Sequence, residues 1–244
     1  MQADEYRRMA ALEDELWWYR GLRRLVLLLL SRHITASRFS LLDAGCGTGG
    51  MLAQLAVHFP QADLHGVDVS PGACEMARGK ATAQIRVGSV TALPYADDSF
   101  DAIVSLDVLG SAAVDPAHAL AEFRRCLRPG GLLLLNLAAY QWLLSYHDRA
   151  VGQSRRFSRP GLRALLEGGG FRLLRSSYWN TLLFPFMVLR RKVWPDGSGT
   201  SDVQAFPLLV NSLFSGCVAL ECALIGAGLR LPFGGSVICV AARE

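Results

Sequence analysis

The 244-residue sequence has no pair of cysteines at CxxC spacing and no Cys/His set at metal-ligand spacing. Its six cysteines, Cys46, Cys74, Cys126, Cys217, Cys222 and Cys239, sit among small or apolar neighbours. They read as buried thiols, not as a disulfide framework, a redox pair or a metal site. Charge is also scarce: charged residues make up 19 %, and 25 Lys plus Arg against 21 Asp plus Glu leave a net charge of +4. The basic clusters Arg7–Arg8, Arg23–Arg24, Arg124–Arg125, Arg155–Arg156 and Arg190–Lys192 are short, so solvated faces or helix ends are expected and a nucleic-acid surface is not. The stretch MQADEYRRMAALEDELWWYR has no apolar core before a small-residue cleavage site. No secretory leader is expected there, and a reducing, cytoplasmic setting follows. A clean membrane span of about 20 residues is missing too. LVLLLL at 25–30 is too short, and residues 205–229 carry Pro207, Asn211 and Glu221.

Apolar residues, by contrast, are abundant, at 51 % with a mean hydropathy of +0.26. They come as short aliphatic runs alternating with helical patterns, which is how a parallel sheet covered on both faces is written. The runs at 39–45, 62–69, 83–88, 100–106, 131–138, 171–178 and 236–242 predict seven strands. Helices are expected at about Gly50–Phe59, Pro71–Lys80, Pro116–Leu127 and Pro160–Glu167, each opening near a proline or glycine. The expected fold is α/β, a doubly wound, mostly parallel seven-stranded sheet of Rossmann-like form. Four parts follow: a helical arm at 1–38, a sheet domain at 39–178, an apolar helical insertion at 179–235 and the last strand at 236–244. Residues 139–159 leave the carboxyl end of a strand, where open sheets bind ligands. The insertion is expected to start from an antiparallel last-but-one strand.

The segment LLDAGCGTGG at 41–50 places Gly45, Gly47 and Gly49 after an apolar run ending in Asp43. Glycines so placed let backbone approach a nucleotide-like ligand. Counted as Gly45, Gly47 and Gly50 they also fit the dinucleotide pattern, so the turn by itself does not choose the ligand. Downstream come GVDVS at 66–70, VGSVTALPYADDSFDAIVSLDVL at 87–109 and CLRPGGLLLLN at 126–136. With the glycine turn, these resemble the successive motifs of the class I S-adenosylmethionine-dependent methyltransferases. PYADDSFD and LRPGG resemble the small-molecule branch that includes the ubiquinone and menaquinone C-methylases. The resemblance covers about residues 39–178 and the last strand.

That resemblance implies S-adenosylmethionine as cofactor. It implies a site built from Asp43, Gly45, Cys46, Gly47, Gly49, Asp68, Val69, Ser89, Val90 and Leu106. Asp43 would organise the glycine turn or take the ammonium, and Asp68 would grip the ribose hydroxyls unless it serves the next helix as a cap. The family commonly has Gly-Asp-Ala at the third strand, where this sequence has Gly88-Ser89-Val90; Ser89 brings a neutral acceptor to the adenine. The Asp/Asn-Pro-Pro-Tyr tetrapeptide of nucleic-acid amino-methylases is replaced by Leu106-Asp107-Val108-Leu109.

Methyl transfer from a sulfonium needs alignment first and a base only if the acceptor loses a proton. His147, beside Asp148, is the candidate base, and Trp18, Tyr19, Tyr140 and Tyr146 are candidate acceptor contacts. The expected reaction is O- or C-methylation of a small, apolar or lipid-like acceptor, with no metal. The alternative is a cofactor-binding or membrane-associated partner protein without transfer activity. The insertion is expected to roof the acceptor pocket. Its apolar runs, parted by a polar loop at PDGSGTSDVQ, leave a homodimer face and a peripheral membrane contact open.

Overall fold

The computed structural model describes residues 3–193 and 206–244. The polar loop expected at 195–204 lies outside them.

All seven expected strands form: β1 (Ser40–Ala44), β2 (Asp63–Asp68), β3 (Gln84–Val87), β4 (Phe100–Leu106), β5 (Leu127–Ala138), β6 (Phe171–Trp179) and β7 (Ser236–Arg243). They make one sheet in the order β3-β2-β1-β4-β5-β7-β6. Both faces are covered, and single strands alternate between two cores. Leu41, Val104, Leu134 and Val240 point into one core, while Leu42, Ile103, Leu135 and Cys239 point into the other. This period of two explains why the aliphatic runs are unbroken, since neither face meets water.

The antiparallel strand is β7, which pairs antiparallel with both β5 and β6. β6 therefore runs with the rest of the sheet, contrary to the expectation that it was the reversed one. Side-chain pattern does not encode strand direction, so the sequence could not distinguish the two. The correction has a consequence: the insertion leaves a carboxyl end, on the same edge as the glycine turn.

Helices α3 (Gly50–His58), α4 (Pro71–Lys80), α5 (Pro116–Cys126) and α7 (Arg159–Gly168) form near the expected positions, joined by a short α6 (Tyr146–Ala150). Side chains cap the starts as the prolines imply. Ser70 Oγ accepts from the Ala73 amide at 3.3 Å, Asp115 Oδ1 from Ala117 at 2.8 Å, and Ser158 Oγ from Gly161 at 3.2 Å. In α6, Ser145 and Asp148 form a capping box.

The arm is two helices, α1 (Ala3–Leu12) and α2 (Trp17–His33), and the insertion contains α8 (Phe184–Val188), a wide π-helical turn at Leu189–Val193 and α9 (Leu208–Gly226). α2 and α9 pack together far apart in sequence. Val218 of α9 sits where a Cβ at Gly21 would come within 2.2 Å of its Cγ1. Asn211 accepts the Trp17 amide at 3.0 Å and donates to the Glu15 carbonyl at 3.0 Å. It thereby caps the start of α2, whose first amides have no partner within the helix.

Candidate functional site

A cavity of about 490 Å³ opens at the carboxyl edge of β1, β2 and β4, between the arm and the insertion. That volume falls in the ~300–1,000 Å³ range of small-molecule sites. Its floor is the glycine turn. Gly45 has φ +91° with Val108 Cγ2 at 2.2 Å from a notional Cβ, and Gly49 has φ +85° with the Ala77 backbone at 2.8 Å. At both positions the glycine is demanded by the chain's own close approach. Gly45, Cys46 and Gly47 line the cavity, whereas Gly49 does not. Gly49 is the residue preceding α3 and lets that helix close on α4. Burial, then Asp43, pushes the Cys46 thiol up, which leaves it inert at neutral pH.

Asp68 is held on three sides. It accepts from the Tyr6 hydroxyl at 3.0 Å, from the Gly47 amide at 3.0 Å and from the Ser70 amide at 2.9 Å. The helix cap is Ser70, so Asp68 ties β2 to the glycine turn. Asp43 is buried, and burial first, then Asp68 and Glu13, push its carboxyl up to about 7. No described side chain neutralises it. Glu13, by contrast, accepts from Thr48 Oγ1 at 2.7 Å and pairs with Lys80 at 2.7 Å.

Arg23 is a cavity residue that sequence reasoning missed. It looked like a solvated face, yet it is buried, bonds Asp14 at 2.8 Å and the Gly50 carbonyl at 3.3 Å, and lines the cavity. Its Nη2 is buried without a hydrogen-bond partner among described residues. An uncompensated carboxyl and an orphaned guanidinium nitrogen lining one cavity suit a ligand carrying both a cation and an anion. The methionine end of S-adenosylmethionine, with its ammonium and carboxylate, has that chemistry.

Val69, Ser89, Val90 and Leu106 also line the cavity. The Ser89 hydroxyl is already engaged with Thr91 Oγ1 at 2.8 Å, so Val69 and Val90 supply mainly apolar walls for a base. Trp18 and Tyr19 reach the cavity from α2, with Trp18 stacked on Trp179 at 5.9 Å. Tyr140 and Tyr146 are not brought to it. Tyr140 stacks on Tyr178 at 5.1 Å instead, because the chain turns sharply there with φ +63°.

His147 lines the cavity on α6, but its neighbour Asp148 does not serve it. Asp148 is buried against Arg156 at 2.8 Å and Ser145 at 2.8 Å. Arg156 also donates to the Ala139 carbonyl at 3.0 Å. The pair holds the loop after β5 over the cavity. Asp107 was likewise missed, because the sequence was searched there for a tetrapeptide it lacks. It has φ +59°, lines the cavity, and accepts from Asn136 Nδ2 at 2.9 Å. Asn136 in turn accepts from Trp179 Nε1 at 2.7 Å. Burial pushes the Asp107 carboxyl up to about 7, against the pull of Asn136 and Arg156. The far wall comes from the insertion: Leu183, Phe186, Met187, Phe206 and Phe214 give it apolar surface, and Asn180, Arg190 and Arg191 also line it.

A family described as a methyltransferase domain matches residues 42–135. Malonyl-[acyl-carrier protein] O-methyltransferase of Dechloromonas aromatica is 46 % identical over 96 residues, covering 39 % of this chain and 35 % of that protein. Demethylmenaquinone methyltransferase of Deinococcus radiodurans is 37 % identical over 99 residues, covering 38 % and 41 %. The chain thus spans less than half the length of either relative. Among solved structures, a geranyl diphosphate methyltransferase in complex with S-adenosylmethionine superposes with a TM-score of 0.62 at 16 % identity, over 92 % of this chain and 85 % of that one; at that identity the likeness is one of fold. The motifs, the sheet and these matches agree, and the chain carries a class I S-adenosylmethionine-dependent methyltransferase domain.

Proposed function

We propose that the chain moves a methyl group from S-adenosylmethionine to a small apolar or lipid-like acceptor, by O- or C-methylation, in the cytoplasm. One observation carries this reading: a single cavity joins a polar end, with Asp43, Asp68 and Arg23, to a wall supplied by the insertion that presents Leu183, Phe186, Met187, Phe206 and Phe214. Asp43 and Arg23 would hold the ammonium and carboxylate of the cofactor, and Asp68 the ribose hydroxyls. When bound, the cofactor supplies a methyl group on a positively charged sulfur, already activated for in-line displacement.

The protein's part is then alignment and exclusion of water. Trp18 and Tyr19 close the cavity from the arm, and Leu183, Phe186 and Phe214 close it from the insertion. Two groups on the wall can take a proton from an acceptor hydroxyl or acidic carbon, His147 and Asp107. Asp107 is the better supported of the two. Asn136 fixes its orientation, and a carboxyl near 7 is matched to proton transfer at neutral pH.

Incubating the chain with methyl-labelled S-adenosylmethionine and a lipid-soluble cell extract tests the proposal by mass spectrometry. A product heavier by one labelled methyl is expected. Cofactor binding without any such product would favour the alternative of a cofactor-binding partner protein. Methylation confined to water-soluble acceptors would remove the apolar assignment.

A further inference from the structure

The outward face of α9 carries Leu209, Ser212, Leu213, Gly216, Leu220 and Ala223, spaced three and four apart and all exposed. Leu208, Leu209 and Leu213 are 87 %, 86 % and 66 % exposed, and a shallow groove with Leu182 continues the stripe. A water-facing helix surface carries charge, and this one has none. The two polar side chains that distinguish this segment from a membrane span are spent inward. Asn211 caps α2, and the buried Glu221 accepts the Leu182 amide at 2.7 Å.

Basic residues gather at one end of the stripe. There Arg175 donates to the Ile225 and Leu229 carbonyls at 2.8 and 2.9 Å, and the exposed Arg32 and Arg230 stand close enough to press its charge. A two-fold pairing that set these ends side by side would bring like charges together. Anionic headgroups around an apolar interior complement an uncharged stripe with a basic end.

We infer that α9 lies in the surface of an anionic bilayer, with its uncharged stripe among the acyl chains and its basic end at the headgroups. α9 does not cross the bilayer. Val218, Cys222 and Ile225 are buried against the rest of the fold on its other side, and Asn211 and Glu221 bind it to the arm and insertion near both ends. The aromatic edge beside the stripe leads inward. Phe214 packs on Phe186 and on Phe206, each at 5.8 Å, and all three line the cavity. An apolar acceptor would thus pass from lipid to the site without crossing water. That last step rests on the functional reading above, while the docking itself does not.

Sedimentation of the full chain with vesicles tests it, comparing pure phosphatidylcholine with phosphatidylcholine containing phosphatidylglycerol. Binding to the anionic vesicles is expected, weakening with salt, and falling more than about tenfold for Leu209→Ser with Leu213→Ser. Neither leucine touches the cavity, so S-adenosylmethionine affinity by calorimetry serves as the check that this variant is folded. Wild type left in the supernatant, or equal binding by the double variant, overturns the proposal. So does a concentration-dependent dimer in light scattering that the double variant disperses, because the stripe is then a homodimer face. A chain that binds vesicles yet methylates nothing keeps the docking and loses the function, and the reverse result separates them the other way.

Discussion

The sheet domain and its roof are built by different rules. In the sheet, neighbours in sequence become neighbours in space: β1, the glycine turn and α3 follow one another, and Asp68 reaches the turn 21 residues away. In the roof, α2 and α9 meet across almost the whole chain, through Trp17 to Asn211 and Cys222 Sγ to the Gly21 carbonyl at 3.7 Å. One end of the cavity is therefore floored by the segment that the family match covers, and the other is walled by the insertion outside it. Cofactor binding and acceptor choice should be separable by substitution.

The largest separation is expected at the proton acceptors, which serve the acceptor end only. If the acceptor must lose a proton, Asp107→Asn should lower turnover by about 10²–10⁴-fold with cofactor affinity nearly intact. His147→Ala is the paired control. Whichever of the two leaves rate and pH profile unchanged is returned to a structural role.

Asp68→Ala should do the converse. Loss of a charged acceptor costs ~1.5–3 kcal/mol, so calorimetry should show S-adenosylmethionine and its demethylated product both bound about 10- to 100-fold more weakly. Equal affinity would remove Asp68 from the ribose. At the roof, Gly21→Ala forces α2 from Val218 and should cost ~1–3 kcal/mol of thermal stability. Acceptor methylation should fall while the variant still binds cofactor. If both activities fall together, the two regions are one unit.

Asp43 and Asp107 make a pH-dependent comparison, because both are pushed up to about 7. Each holds a proton more tightly folded than unfolded, so between about pH 4 and 7 the folded chain binds more protons. Stability of the ligand-free protein should fall as pH rises through that window, and Asp43→Asn should flatten the fall in a melting series. Binding of the cationic cofactor should strengthen over the same range as Asp43 ionises. The smallest effect is expected at Tyr6, whose hydroxyl occupies one Asp68 oxygen at 3.0 Å. Tyr6→Phe frees that oxygen for a ribose hydroxyl, and calorimetry should show affinity raised a few-fold; weaker binding would make Tyr6 part of the site.

How much of this was legible follows the same division. Strand positions came from short aliphatic runs, and helix starts from Gly50, Pro71, Pro116 and Pro160, because those signals are local. Asp43, Gly47 and Asp68 could be named from the sequence because they lie in motifs at strand ends, and all three line the cavity. Arg23 was not, since RGLRR reads alike on a surface helix and under a lid; the acids at 13 and 14 were the available hint. Asp107 was passed over in the search for a different motif. The Ser145-Tyr146-His147-Asp148 run carried an unread capping box, which would have placed a helix over the cavity and tied Asp148 away from His147. The direction of β6 could not be read, because pleating looks the same from either end.

The wedging of β7 between β5 and β6 also sets a timetable. Among the described strands β6 pairs with β7 alone, and 56 residues separate Trp179 from Ser236. Until that late strand arrives, β6 is a ribbon without a neighbour and α9 has already been made. Closing so long a loop is slow and leaves an open strand edge exposed meanwhile. The last step in folding this chain is therefore expected to be the insertion of β7, which completes the sheet and brings β6 and the insertion that follows it into place over the site.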